Sequence, residues 1–594
     1  MSPEAVVNPT TGTVAVLLVS VATIAIGSIG LRLSRTTSDF YVASRAVSAP
    51  WNASAIGGEY LSAASFLGVA GLVLAGGVDM LWFPVGYTAG YLVLLVLVAA
   101  PLRRSGAYTL PDFAQSRLVS WEVRLVSSVL VVGIGWLYLL PQLQGAGLAL
   151  RTVTGLSPAV GAVLVAVVVV VNVLAGGMRS ITFVQAFQYW LKATAIALPV
   201  VFLLVAWSSD GGPDPSAHGL PTARTAVTTE LTHPVTVRAP APATFDVRGV
   251  VDGAAVDGPI TLEKGESVQL AEGTVVHLPA GTVVPHAAPV SASVGEEWSA
   301  PLSGAGGRAH PLYATYSLIL ALFFGTMGLP HVLVRFYTNP DGRAARRTTA
   351  VVIGLLGIFY LFPPIYGALG RIYAPDLLLT GRTDTVVLAL PSRLVPGPLG
   401  DLLSSLLVAG AFAAFLSTAS GLVVSVAGVL SQDLMRRHWL GPPPARRDQG
   451  RSVHTFRIAT VVAVVVPLML SLLTTRVGLA DTVGLAFALA ASTFCPLLVL
   501  GIWWRGLTAA GAIAGLLAGG ISASAAVTAT MLAGPFGGWT GALLAQPAAW
   551  TVPLAVLTMV CVSLLTRARV PAQTGRLMIR LHTPEGVEVD RGRT

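Results

Sequence analysis

Thirteen long apolar stretches separated by short polar connections set the pattern of this chain, at about 13–32, 50–77, 80–102, 123–150, 158–175, 183–207, 311–334, 349–371, 402–431, 457–475, 480–502, 508–533 and 547–566. A helix rises about 1.5 Å per residue, so each stretch is long enough to cross roughly 30 Å of hydrocarbon. The pattern predicts an all-α integral membrane protein of about 13 transmembrane helices, with ends placed to within a few residues.

Residues 208–310 interrupt that pattern. They are rich in Pro and Gly, and short runs such as Ile260–Leu262, Ser267–Leu270 and Thr274–Leu278 alternate with Asp257-Gly258, Lys264-Gly265 and Glu272-Gly273. Turn-forming pairs at this spacing predict a small antiparallel β unit outside the membrane. His218, His233, His277 and His286 fall in it, but their spacing fits no compact metal-ligand pattern. A surface cap or partner-contact module is the expectation.

Composition sharpens the reading. With 54% hydrophobic and 11% charged residues, the chain requires lipid as part of its solvent. The net charge of +9 comes largely from connections, among them Arg103 and Arg104, Arg343 with Arg346 and Arg347, Arg436 and Arg437, Arg446 and Arg447, and Arg567. The positive-inside rule then puts the N-terminus outside and the C-terminus in the cytoplasm, in the cell membrane of a multi-pass protein. Topology accounts for the basicity, so a nucleic-acid partner is excluded. Cys495 and Cys561 both lie in apolar stretches, which supports neither a disulfide framework nor a cysteine metal site. Met1–Thr11 carries Glu4 and no basic residue, so the first apolar stretch is expected to remain as a helix.

Polar or helix-breaking residues inside a span are costly in lipid and mark function. Three spans carry them. In the second, Gly57-Gly58-Glu59-Tyr60-Leu61-Ser62-Ala63-Ala64-Ser65 predicts an unwound segment facing a cavity rather than lipid; tight packing through small residues is the plain alternative. In the seventh, Phe324-Gly325-Thr326-Met327-Gly328-Leu329-Pro330-His331 predicts a half-helix beginning near Pro330, or else a simple proline kink. The two interruptions open successive sets of five spans of opposite direction, the pattern of an inverted repeat with its binding site at the breaks.

The third is the ninth span, Val408–Gly421, which has small residues and hydroxyls but no charge. The Ala414 carbonyl and the Ser417 and Thr418 hydroxyls share one helix face and suit a small hard cation, together with carbonyls near Gly58 and Leu61. The alternative is that both hydroxyls bond back to carbonyls one turn earlier. No Ser/His/Asp set, metal-ligand pair or phosphate loop appears beside the spans, so transport is expected and enzymatic catalysis is not.

Asp39–Arg45, Tyr60–Gly68, the run Phe324–Arg335 and Phe415–Thr418 together resemble the sodium:solute symporter family, and within it the cation/acetate and monocarboxylate permeases. The resemblance covers roughly 35–207 and 311–510. It implies a LeuT-like five-plus-five inverted repeat behind one extra helix: a leading helix and loop in 1–49, repeats in 50–207 and 311–502, the insert in 208–310, trailing helices in 503–566 and a cytoplasmic tail in 567–594. It also implies cation coupling, by Na+ or else H+, at the carbonyls of Gly58, Leu61 and Ala414 and the hydroxyls of Ser417 and Thr418. Some members carry an Asp where Thr182 follows Gly176-Gly177 here, which puts a second coupled ion in doubt.

The substrate so implied is a small monocarboxylate anion such as acetate, propionate or pyruvate, with no cofactor beyond the monovalent coupling cation. Glu59, Tyr60, Ser62, Ala63, Ser65, Gly325, Thr326, Gly328 and His331 are the candidate substrate contacts. Half-helix amides near Ser62–Ser65 and Leu329–His331 would face the anion, and Tyr60, Phe66 and Phe324 would bound its apolar end. Glu59 has three open roles: taking a proton, orienting the break, or sensing the cation. Another solute of the family, such as proline, a sugar or a vitamin, is the first alternative, and a membrane sensor derived from a transporter the second.

Overall fold

The computed structural model describes residues 8–33, 47–216, 219–288, 295–302, 310–435, 449–473, 478–533 and 536–585. The Asp39–Arg45 motif, His218 and the Arg436–Arg447 loop lie outside the described residues. Among those described, twelve stretches are helical, long and apolar enough to cross a membrane, and every predicted span falls on helix. One of the twelve, Ala64–Ser105, is 42 residues long, which at about 1.5 Å per residue is roughly twice the hydrocarbon thickness. It is divided at Gly77, whose φ of +66° ends the Val69–Gly76 helix, so the predicted spans 50–77 and 80–102 remain separate helices.

Two expectations are corrected. The 349–371 span is two helices, Gly342–Phe359 and Pro363–Tyr373, because Pro363-Pro364 removes the amides that would continue the first. Helical backbone also runs without interruption from Pro158 to Ser209, through the polar connection expected at 176–182.

The Pro398–Val429 helix is the axis of the bundle. Its small residues allow close approach, and it packs on Pro158–Ser209 and Trp121–Thr154 with its most apolar stretch wholly buried. Ala49–Tyr60 packs on both Pro158–Ser209 and this axis, which brings the first interruption against the Ser417 turn.

The insert forms a seven-stranded antiparallel sheet in the order Val227–Glu230, Val275–Leu278, Ala243–Val251, Ser267–Leu270, Val235–Arg238 and His286–Ala287, with Ala254–Leu262 paired on Ala243–Val251. The Val251–Ala254 hairpin turns on Asp252 and Gly253, both at positive φ, the geometry an Asp-Gly pair adopts readily. After the sheet, Trp298 anchors the insert to the bundle. Its indole donates to the Val73 carbonyl at 2.9 Å and lies under the Arg371 guanidinium at 5.1 Å.

Candidate functional site

The first interruption is a true break. Helix Ala49–Tyr60 ends at Leu61, whose ψ of 88° is not helical, and helical backbone resumes only after Ser62. Gly58 permits this, because a Cβ there would run into the Gln185 carbonyl of the neighbouring helix. A broken helix frees backbone carbonyls that must find donors, since no lipid or water in the core can supply them.

Those donors come from two helices. Ser417 Oγ donates to the Gly58 carbonyl at 2.6 Å, and Thr418 Oγ1 to the Glu59 carbonyl at 2.6 Å. The Lys192 ammonium donates to the Leu61 carbonyl at 2.8 Å, to Ser417 Oγ at 2.9 Å and also to the Gly58 carbonyl. Ser417 Oγ further lies 3.1 Å from the Ala414 carbonyl. The five expected cation-binding residues therefore do converge, and Lys192 converges with them.

That convergence bears on sodium. Gly58, Leu61 and Ser417 supply three neutral oxygens, a suitable set for a small cation, but all three already receive the ammonium. Two unit charges about 4 Å apart repel by roughly 4 kcal/mol at an effective dielectric of 20. A sodium ion does not fit among these oxygens while Lys192 remains there.

Glu59 is not directed at a substrate. Its carboxylate accepts from Arg335 Nε at 2.6 Å, and a Cβ on Gly421 would collide with it. Arg335 is fully engaged: its remaining nitrogens reach Thr182 Oγ1 at 2.8 Å and Gln185 Oε1. Gln185 returns an amide bond to the Ser417 carbonyl at 2.8 Å, and Asn52 donates to the Arg335 carbonyl at 3.1 Å. Of the three roles open to Glu59, this arrangement suits orienting the break.

On the opposite side of the break lies a buried aromatic cluster. Tyr60 packs edge-on to Tyr91 at 4.8 Å and to Tyr87 at 6.0 Å, while Tyr87 stacks on Tyr360 at 5.9 Å. His331 meets Tyr138 edge-on at 5.1 Å. The Tyr60 hydroxyl bonds to the Tyr87 carbonyl at 3.1 Å and Thr326 Oγ1 at 2.9 Å. Ser65 pairs with the Tyr360 hydroxyl at 2.8 Å, and the Ala63 amide donates to Gln142 Oε1 at 3.0 Å. By contrast the hydroxyls of Tyr87 and Tyr91 and both ring nitrogens of His331 are buried with no hydrogen-bond partner among the described residues. Each such group costs about 1–3 kcal/mol if left unpaired.

The second break is a single residue wide. Helix Pro311–Gly328 ends at Leu329, with ψ of 115°, and Pro330 opens a new turn that places His331 in the aromatic cluster. Gly325 and Gly328, expected at the substrate, instead let this helix pack closely on Leu479–Trp503: a Cβ on Gly325 would lie 2.5 Å from the Phe487 carbonyl, and one on Gly328 would meet that of Ala490. Phe324 is partly buried and packs against the cluster of Ala321, Ala488, Ala491, Ala548 and Val552 as well as against the main core, and Phe66 is buried near Phe359 at 6.1 Å.

Lys192, Arg335, Gln185, Gln142, Tyr87, Tyr91, Tyr138 and Tyr360 are not among the residues expected from sequence. Lys192 carried a usable signal: it is an ionisable residue inside the apolar stretch 183–207. The tyrosines carried none, since aromatic residues are ordinary in spans.

Similarity to known proteins agrees with this architecture. The chain is 30% identical to a monocarboxylic acid transporter of Corynebacterium glutamicum, over 83% of this chain and 79% of the relative. It is 30% identical to an uncharacterized symporter of Cupriavidus necator over 90% and 88%, and 28% identical to the uncharacterized symporter YwcA of Bacillus subtilis over 82% and 80%. Among solved structures, an outward-open Na+-coupled sialic acid symporter superposes with a TM-score of 0.59 at 13% identity, covering 93% of this chain and 98% of that one. That likeness shows the fold, a LeuT-like inverted repeat in a multi-pass membrane protein. The sequence pattern of the sodium:solute symporter family matches residues 40–249 and 300–519, and the chain belongs to that family.

Proposed function

We propose that this symporter takes up a small monocarboxylate anion, such as acetate, propionate or pyruvate, across the cell membrane by alternating access. The observation that carries the reading is the set of unpaired buried donors beside both breaks: the Tyr87 and Tyr91 hydroxyls and the His331 ring. A carboxylate is acceptor-only and offers about four lone-pair directions in a small volume, which matches two hydroxyls and a ring N–H. Neutral donors also suit a transported anion, because a second fixed cation at the carboxylate would retain it. The apolar rims of Tyr60 and Tyr138, both edge-on to Phe487, would bound the methyl or short alkyl end of such an anion. The name of the Corynebacterium relative supports the same substrate class.

Binding at the aromatic cluster and cation coupling at the Ser417 turn meet on one short segment, 58–65. Ordering that segment from one side changes the free energy of binding at the other, and the coupling is reciprocal. The orientation with the N-terminus outside puts the insert on the outer face, where Trp298 ties it to the Val73 turn.

The test is uptake of labelled acetate into proteoliposomes, competed by propionate, pyruvate and proline. Competition by the two carboxylates and not by proline is expected. Competition by proline alone would overturn the monocarboxylate reading and favour another solute of the family.

A further inference from the structure

A carboxylate offers about four lone-pair directions, and the Tyr87 and Tyr91 hydroxyls and the His331 ring account for three of them. We propose that Gln142 supplies the fourth donor, binding the anion through a side-chain amide that relays the positive end of the half-helix beginning at Ala63. The inference rests on the monocarboxylate reading above and adds to it a residue that selects a negatively charged solute.

Gln142 lies on Trp121–Thr154 and is fully buried. Its Oε1 accepts from the Ala63 amide at 3.0 Å. That amide opens the helical backbone 63–76, which resumes after the break, and a helix presents its positive end there. The contact fixes the side chain. Turned over, the amide group would set its own hydrogens against the Ala63 N–H, so Nε2 points away from the half-helix. Gly145, three residues on, permits the approach of the two helices, since a Cβ there would lie 3.1 Å from the Ala63 Cβ.

Away from the half-helix, Nε2 has one contact among the described residues, the Tyr138 carbonyl at 3.4 Å. That is a long bond to an acceptor that already serves its own helix. An amide nitrogen carries two hydrogens, so at least one remains to be given. Tyr138 stands one turn before Gln142 on the same helix face, and its ring lies edge-on to His331 at 5.1 Å and to Phe487 at 5.9 Å. The remaining hydrogen therefore borders the cluster that holds the other unpaired donors.

The arrangement also strengthens the donor. A hydrogen bond accepted at Oε1 draws electron density from the amide nitrogen, so the Ala63 contact makes Nε2 the better partner for a carboxylate. Gln142 is neutral, so it favours an anion without retaining it as a fixed cation would. The competing role is a cap on the half-helix alone, for which the oxygen suffices and the nitrogen is irrelevant.

The two roles rank two variants in opposite orders. Gln142→Glu keeps an oxygen for the Ala63 amide but replaces the donor by a negative charge, whereas Gln142→Met, of similar length, loses both functions. The readout is counterflow of labelled pyruvate in proteoliposomes of the full-length protein preloaded with unlabelled pyruvate, at pH about 8.5, where a carboxyl facing a half-helix amide is ionised. Gln142→Met is expected to raise the half-saturating pyruvate concentration about tenfold, the loss of one hydrogen bond to a charged group. Gln142→Glu is expected to raise it about a hundredfold or more, because repulsion is added. A capping role gives the reverse order, with Gln142→Glu like wild type and Gln142→Met impaired in folded yield and maximal rate, and that result overturns the proposal. Either variant decides alone if the other does not fold, since an unchanged half-saturating concentration in either one overturns the proposal. Wild type without saturable pyruvate counterflow overturns the monocarboxylate reading and this inference with it, whereas saturable wild-type counterflow with an unchanged Gln142→Glu overturns this inference alone.

Discussion

The two sides of the 58–65 break are built on opposite terms. Toward Pro158–Ser209 and Pro398–Val429, the freed carbonyls of Gly58, Glu59 and Leu61 receive hydroxyl or ammonium donors. Toward Tyr87, Tyr91 and His331, buried polar groups have no partner among the described residues. A satisfied network rigidifies, whereas an unsatisfied one awaits a ligand. The difference separates the part of the site that holds the break open from the part that reads the solute.

The largest way to break this comparison is to unbalance the satisfied side. Glu59→Gln leaves Arg335 buried without its counter-charge, and losing one partner of such a pair costs about 3–5 kcal/mol. A large fall in melting temperature and in folded yield is expected, with much of it recovered in a Glu59→Met, Arg335→Met double variant, since apolar replacement of a whole pair is often neutral. An unchanged melting curve for Glu59→Gln would mean that the pair does not organise the break. Next in size is Thr418→Ala, which takes the hydroxyl donor from the Glu59 carbonyl at about 1–3 kcal/mol, and then Ser417→Ala, which costs less because Lys192 still donates to the Gly58 carbonyl. Both are expected to lower the melting temperature.

The unsatisfied side responds with the opposite sign. Tyr87→Phe or Tyr91→Phe removes a hydroxyl that has nothing to bond, so thermal stability without substrate is expected to hold or rise. Apparent affinity for the carboxylate is expected to fall up to about tenfold, which corresponds to 1.4 kcal/mol. Should either variant destabilise the substrate-free protein as Thr418→Ala does, the contrast between the two sides disappears.

How much of this was legible in the sequence follows from the physics of each feature. Span positions and the β insert read directly, because lipid thickness and turn chemistry act on local composition. Both interruptions were visible as Gly57-Gly58 and as Pro330 in apolar surroundings. Helix spacing put Ser417 and Thr418 on one face, and only packing sets their hydroxyls against the Gly58 and Glu59 carbonyls. Glu59 was visible as a buried charge, yet its partner Arg335 lies 276 positions away and only packing reveals the pair. Gly325 and Gly328 read as site residues, although their role is close approach to Leu479–Trp503. Tyr87, Tyr91 and Tyr360 come together from separate helices, and no local pattern distinguishes them from ordinary aromatic packing.

The smallest expected effect lies beyond both sides and tests their independence. Asp384 sits in the connection between Tyr373 and Pro398, outside the spans, and its carboxyl comes within van der Waals range of Gly71 on the half-helix that follows the break. Burial raises its pKa to about 6, against the opposing pull of the Leu479 amide and with a further push from Asp481. A carboxyl whose folded value exceeds its unfolded value of about 3.9 favours the packed state in acid, and that contribution is lost as pH rises through about 6. Asp384→Asn stays neutral throughout. The difference between wild-type and variant melting is therefore expected to change between pH about 4 and about 6 with a slope below about 1.4 kcal/mol per pH unit, and to flatten above that window. Because the residue touches neither Lys192 nor the tyrosine cluster, affinity for the carboxylate at neutral pH is expected to stay the same. A changed affinity would show that the outer connection and the break move as one element, which would undo the separation of the site into two independent sides.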